Sequence, residues 1–309
     1  MTTADIRTLN EAANQHCQHV AWPTVLLVMT TFSLYFALPI MVYLDILPLW
    51  LGALLMIFAV YANYTALHEA VHSAVCGSQT HFRWLNEVVG YLAAVPMFIP
   101  FSCHRFEHFL HHKNTNKPKS DPDIFCADMT QSPRRWFGVV LDLTAGNYRV
   151  YLEQYWPNLG VKQRLIFCLE LVAIVGARLV LVALPFLLPN VNESAGLLTT
   201  MATIGVMVVL APLMGVAVLI YLFAFLVHVP HTIVGKYIDT SVYEPPRAIR
   251  GVITWLWGFQ NYHGVHHAFP RVPWFRYRAL FDAHRAELLA LGIPTFNFQH
   301  GRWRPIKPA

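Results

Sequence analysis

Charge is scarce in this chain. Lys, Arg, Asp and Glu make up 13% of its 309 residues, about half of the roughly 25% found in soluble domains. That shortage excludes a disordered chain and a charge-laced coiled coil. Cysteine is scarce and unpaired in pattern. Cys17, Cys76, Cys103, Cys126 and Cys168 form no CxxC pair, which argues against a disulfide scaffold, a zinc ribbon, an iron–sulfur cluster and a thioredoxin-type site. The first twenty residues carry Asp5, Arg7, Glu11, His16 and His19. They lack the basic start and apolar run of a cleaved signal peptide. No internal repeat or low-complexity tract is present. Apolar residues, by contrast, reach 56% and mean hydropathy is +0.43. Histidine is the anomaly. Sixteen His nearly equal the 17 acidic residues, and imidazole suits metal binding or proton chemistry near neutral pH.

The apolar residues are gathered into runs. Residues 22–44 and 49–66 are each about long enough to cross a hydrocarbon core, and the short break at 45–48 makes them a helical hairpin. Residues 165–188 and 197–229 form a second pair around the polar turn 189–196. The apolar stretch 88–101 is shorter and holds Pro96 and Pro100, so it reads as re-entrant or interfacial. The expected fold is all-α: one membrane domain over 1–309, with four transmembrane helices in two hairpins and a histidine-rich cap. Neither short turn contains Lys or Arg, and all basic residues but Arg178 lie in 1–21, 67–164 or 230–309. The positive-inside rule makes those three regions cytoplasmic, a multi-pass arrangement suited to a cell inner membrane. The net charge of +5 then reflects a basic face near anionic lipid and not nucleic-acid binding. Residues 274–291 alternate apolar and basic residues at helical spacing. They read as a helix lying on anionic lipid or, alternatively, docking an acidic electron carrier.

Three histidine clusters stand just beyond these runs. His68-Glu69-Ala70-Val71-His72 places two imidazoles at i and i+4, on one helix face. His104, His108, His111 and His112 fall within about 100° of arc on a helix. His263, His266 and His267 repeat the HxxHH spacing. The first cluster alone also reads as HExxH, a zinc-hydrolase motif with Glu69 as base. One catalytic zinc needs only three protein ligands, and so many imidazoles suit two metals with open positions, iron above all. His16, His19, His81, His284 and His300 stand outside the clusters and read as surface residues. Glu170 and Arg178 lie within the third run, eight positions apart, which makes direct pairing awkward.

HEAVH (68–72), HFLHH (108–112) and HGVHH (263–267) resemble the three histidine boxes of the membrane fatty acid desaturase and hydroxylase superfamily. The run HFLHHKNTNKPKSDPD from His108 and the tail NYHGVHHAFPRVPWFRY to Tyr277 are similar to its desaturases and beta-carotene hydroxylases. The resemblance implies two non-haem iron ions, dioxygen as oxidant and a lipid, acyl or isoprenoid substrate entering from the membrane. It implies metal ligands at His68, His72, His108, His111, His112, His263, His266 and His267. It adds a further ligand at His228 or His231, His228 being the better match, and one at His104, as in relatives that begin HxxxH. Glu69, Glu107, Asn116, Asp121 and Asp123 are the nearest partners for the outer ring nitrogens. With no cysteine cluster or haem-binding segment in the sequence, a separate ferredoxin or b-type cytochrome is expected to supply electrons. Fatty acyl desaturation is the expected reaction, carotenoid or alkyl hydroxylation the alternative within the superfamily, and a membrane zinc hydrolase the alternative of another class.

Overall fold

The computed structural model describes residues 3–187 and 196–306. The expected turn 189–196 lies, but for Gly196, outside the described residues. A short helix α1, Thr3–His16, leads into the first hairpin, α2 at Trp22–Tyr43 and α3 at Leu49–Val71. Two smaller helices follow, α4 at Trp84–Ala94 and α5 at Phe101–Asn114, then α6 at Pro133–Val150. The second pair is α7 at Val161–Val182 and a long helix α8 over Leu197–His228. Among the described residues, four helices are long and apolar enough to cross a membrane: α2, α3, α7 and α8. On α7, Leu165, Leu169, Val172 and Leu179 form an exposed apolar stripe at helical spacing, as a helix facing lipid requires. The chain is an integral membrane protein.

Helix α3 runs five residues past the apolar stretch that announced it. Counting hydropathy stops at a polar residue, but backbone hydrogen bonds do not. His68 and Glu69 stay helical because they are buried against other protein segments rather than lipid. The 88–101 stretch resolves into α4, packed on α3, where Asn63 donates to the Ala93 carbonyl (2.7 Å), followed by a turn to Pro100. Gly90 is required there, because a Cβ at this position would strike the Phe101 ring.

Glu170 and Arg178 do not pair. Glu170 accepts from the Ser102 backbone N (3.2 Å) and Oγ (2.6 Å), so an acidic side chain caps the positive end of α5. Arg178 donates to the carbonyls of Val95 (3.0 Å) and Ile174 (2.8 Å), and its guanidinium lies 3.6 Å over the Phe98 ring. An intramembrane cation thereby finds acceptors that lipid cannot offer, and it pins the turn between α4 and α5.

Beyond α8 the chain forms β1 at Val242–Glu244, α9 at Arg250–Leu256, α10 at His263–Ala268, α11 at Tyr277–Ala283 and α12 at Arg285–Ala290, then β2 at Thr295–Gln299 and β3 at Arg302–Pro305. Strand β1 pairs parallel with β2, which pairs antiparallel with β3. The fold is otherwise helical, as expected; strands of three to five residues are too short to give a period-2 signal, so this small sheet was not legible. The single amphipathic helix expected over 274–291 is also corrected. It breaks at His284, and its apolar residues Tyr277, Leu280, Phe281 and Leu288 are buried against Leu9, Ala13, Val265 and Phe269. Helix α1 and the segment of the third histidine cluster cover this apolar face, so it does not lie on lipid.

Candidate metal centre

Four separate parts of the chain deliver histidines to one place. The end of α3 brings His68 and His72, α5 brings His108, His111 and His112, α10 brings His266 and His267, and the end of α8 brings His228. The last of these depends on an irregular helix. Helix α8 contains wide π turns at Val206–Leu210 and Ile220–Phe225 and closes with a tight 3-10 turn, Leu226–His228. Such turns re-aim the side chains that follow, and here they set His228 with its Nε2 3.2 Å from Nε2 of His111.

The imidazoles fall into two adjoining groups. Ring nitrogens of His68, His72, His108, His112 and His266 all lie within 4.8 Å of one another, and so do those of His111, His228 and His267. The His112 and His267 rings stack at 4.2 Å, which joins the groups. His263 stands between them, its ring 4.7 Å from His267 and 5.0 Å from His228. His104 and His231 fall in neither group. His104 sits 5.4 Å from His108, ring to ring, and His231 lies 6.3 Å beyond His228.

These contacts are not an ordinary hydrogen-bond network. Nε2 of His108 faces Nε2 of His72 at 2.9 Å and of His112 at 3.0 Å, and Nε2 of His112 faces Nε2 of His266 at 3.0 Å. Four rings thus turn the same nitrogen, Nε2, toward one another, and each Nε2 offers either one proton or one lone pair. Both ring nitrogens of His68 and Nε2 of His267 are buried with no partner at all. Burying so many unsatisfied acceptors is costly, and a cation between them removes the cost. The residues present fit metal ions.

The outer nitrogens hold their rings in the required tautomer. Asp121 accepts from His111 Nδ1 (2.8 Å) and also from the backbone N of Asn116 (2.7 Å) and Asp123 (3.0 Å). Asn116 in turn donates to the carbonyls of Ile233 and Asp239. Gln260 accepts from His263 Nδ1 (2.7 Å). Tyr277 accepts from His266 Nδ1 (2.9 Å) and donates to Glu69 (3.2 Å), whose other oxygen accepts from Trp274 N (3.2 Å). Each arrangement leaves an Nε2 lone pair facing inward. Gln260 and Tyr277 were missed as partners in the sequence. Gln260 sits three residues before His263, a spacing that could have suggested it; Tyr277 is eleven residues from His266 and gave no such signal.

Burial pushes the carboxyls of Glu107 and Asp123 well above the carboxylate range, Asp123 further through the charge of Glu107. Burial alone would depress His111, but Asp121, Asp123 and Glu107 outweigh it and raise it to about 9. Proton and metal therefore compete for the His111 Nε2 lone pair. Burial and the neighbouring imidazoles hold His72, His108, His112, His263, His266 and His267 well below the usual range. They stay neutral and ready to ligate at neutral pH.

A slot opens from the histidines between the helices. Its polar lining includes His104, Glu107, His111 and Asp123, and its apolar lining includes Leu67, Met97, Ile99 and Leu143, with Val216, Leu219 and Phe223 from α8.

Helical spans and a buried poly-histidine centre define the class: an integral membrane, metal-binding protein. The fatty acid desaturase family model matches residues 44–299, and the chain belongs to that family. Several relatives share shorter stretches. The sn-1 acyl-lipid omega-3 desaturase (ferredoxin) of Nostoc sp. (strain 36) is 32% identical over 82 residues, 26% of this chain and 22% of that protein. The sn-1 oleoyl-lipid 12-desaturase of Anabaena variabilis is 30% identical over 132 residues, 40% of this chain and 35% of that protein. The Delta(12) fatty acid desaturase fat-2 of Caenorhabditis elegans is 33% identical over 89 residues, 29% of this chain and 23% of that protein. The matched stretches thus span between 22% and 35% of these relatives' lengths.

The Tyr277 relay gives a direct test of the outer contacts. Tyr277→Phe removes the acceptor for His266 Nδ1 and keeps the packing. Metal retention through a chelating column, read by elemental analysis, should weaken by about 10- to 100-fold, the usual cost of losing such a partner.

Proposed function

We propose that this protein desaturates fatty acyl chains of membrane lipids, using dioxygen and two iron ions. One observation carries the reading: two groups of facing imidazole nitrogens adjoin a mainly apolar slot between the helices, which His108 of the first group and His111 and His228 of the second line. The names of the relatives, all desaturases of acyl chains or acyl lipids, support it. In the proposed ligand set, His68, His72, His108, His112 and His266 hold one iron. His111, His228, His263 and His267 hold the other. Bound iron supplies dioxygen binding and the oxidising power that an unactivated C–H bond demands.

The chain's own residues do the rest. Leu67, Leu143 and Phe223 shape an apolar path that orients the acyl chain and keeps bulk water from it. Asp121, Gln260 and Tyr277 fix imidazole orientation. The balance requires two hydrogens from the chain and two electrons with two protons from outside, for each dioxygen reduced to two waters. A separate ferredoxin or b-type cytochrome is the proposed source, and one relative is named for ferredoxin.

The zinc-hydrolase alternative needs Glu69 free to act as base. Glu69 is fully buried and held by Trp274 N and Tyr277 Oη, so turning it to a substrate water would break both bonds, which disfavours it. Expression in a host of known lipid profile, followed by mass spectrometry, tests the reading. Loss of two hydrogens from an acyl chain supports it, gain of one oxygen moves the protein to hydroxylation, and no change in the presence of a working donor overturns both.

The proposed orientation puts 1–21, 67–164 and 230–309 in the cytoplasm of a cell whose inner membrane holds the four spans, as one domain. In a background lacking native cysteines, Ile46→Cys, exposed in the first hairpin turn, should label with an impermeant thiol reagent in intact cells. Lys117→Cys, just past α5, should label only after lysis. The opposite pattern would invert the model.

A further inference from the structure

Not every polar group in the slot belongs to the metal groups. Two have no partner. His104 on α5 is 6% exposed and Asn147 on α6 is 7% exposed. Both line the slot, and His104 Nε2 and Asn147 Oδ1 are buried with nothing to bond. The two helices touch at this level, where Cys103 Sγ, next to His104, donates to the Asn147 carbonyl at 3.3 Å. Thr144, the other polar side chain that α6 places in the wall, is already spent on the Val140 carbonyl (3.0 Å).

The His104 ring is held but not satisfied. The Tyr64 ring meets it edge-on at 5.4 Å. Its Nδ1 lies 3.7 Å from Glu107 Oε2, beyond hydrogen-bond distance, so the ring is free to carry its proton on Nε2. A plain methylene chain in the slot would leave His104 Nε2 and Asn147 Oδ1 unpaired in an apolar wall. A hydroxyl accepts from the first and donates to the second.

We propose that the slot selects an acyl chain bearing a hydroxyl near the carbon that reacts, with His104 and Asn147 as the residues that read it. This rests on the desaturase reading and narrows its substrate. His104 then contacts substrate rather than metal, although its ring is only 5.4 Å from that of His108.

Equilibrium binding tests this apart from turnover. The full chain in lipid nanodiscs is titrated with methyl stearate and with a series of methyl hydroxystearates in which the hydroxyl moves along the chain. A site built to bond a substrate hydroxyl discriminates strongly against its deoxy analogue, by up to about 10⁴-fold or more, so at least one isomer should bind about tenfold or more tighter. His104→Phe and Asn147→Leu should each erase that preference while iron content stays at the parent value; the second, on another helix, carries the test if the first does not accumulate. Equal binding of every isomer and the plain chain would overturn the proposal, as would a preference that survives both variants or loss of iron from His104→Phe. The two readings fail separately. Turnover of plain chains without any hydroxyl preference sinks this proposal alone, whereas selective binding without turnover of any chain sinks the desaturase reading and leaves the binding site standing.

Discussion

His112→Ala should lose dioxygen-dependent turnover by at least about 100-fold, more than the loss of an outer contact. No other imidazole is tied so closely to both groups. Its Nε2 is 3.0 Å from the Nε2 of His108 and of His266, and its ring stacks on His267 at 4.2 Å. Removing it takes a nitrogen from the first group and the ring that spaces the second. Iron content, measured by elemental analysis, should fall with activity from about two per chain in the parent. His81→Ala and His300→Ala, exposed and remote from the clusters, should keep both. His228→Ala should behave like His112→Ala, and His231→Ala should remain active. A fully active His112→Ala variant with unchanged iron would dismantle the proposed ligand set. The reverse result at 228 and 231 would move that ligand to His231.

Acid should be the second large perturbation. His72, His108, His112, His263, His266 and His267 are held well below their ordinary value by burial and by one another, and burial pushes His104 down to about 4. In the unfolded chain each takes a proton near pH 6.5. Below that pH the unfolded state binds more protons than the folded one, so stability falls as pH falls. At about pH 5.5 each of these His contributes roughly 1.4 kcal/mol of destabilisation; the buried carboxyls of Glu107, Asp123 and Asp239, which hold protons that the unfolded chain has released, oppose it, so the net loss is smaller than the sum over the His but keeps its sign. His111, raised to about 9, adds stability that is fully present below about pH 6.5 and is lost as pH rises through 9, so it does not change the slope in the acid window. Thermal unfolding of chelator-treated protein in detergent should therefore drop steeply between about pH 6.5 and 5.5. Metal-loaded protein, its imidazoles already engaged, should show the drop at lower pH. A melting temperature indifferent to pH in the metal-free sample would contradict the buried, neutral cluster.

What the sequence made legible follows from signal length. Four apolar runs of about membrane length and boxes with fixed spacing are local patterns, and both recur in the structure within a few residues. The end of α3 was misjudged because hydropathy cannot distinguish a polar residue in water from one buried against another helix, as His68 and Glu69 are. The grouping of the boxes was invisible, since nothing in HFLHH says that His111 should leave its neighbours and face His228 and His267. The C-terminal stretch misled for a different reason. An apolar face on a basic helix looks the same whether lipid or α1 covers it, and only the packing of Leu9 and Ala13 against Phe281 and Tyr277 decides. The pairing of Glu170 with Ser102 likewise spans 68 residues, beyond any local pattern.

The dispersal of the histidines over the chain has a consequence in time. Synthesis runs from residue 1 at about 5–20 residues per second. His68, His72, His108, His111 and His112 emerge first, with no partner from the third box. The first group lacks His266, and the second lacks His228 and His267, until both hairpins are in the membrane. During that interval, of the order of ten seconds or more at such rates, the early imidazoles are an incomplete and open set that any passing divalent ion can enter. Selective loading is therefore a late event in the life of the nascent chain, and a chain arrested before residue 260 would hold metal weakly and without discrimination.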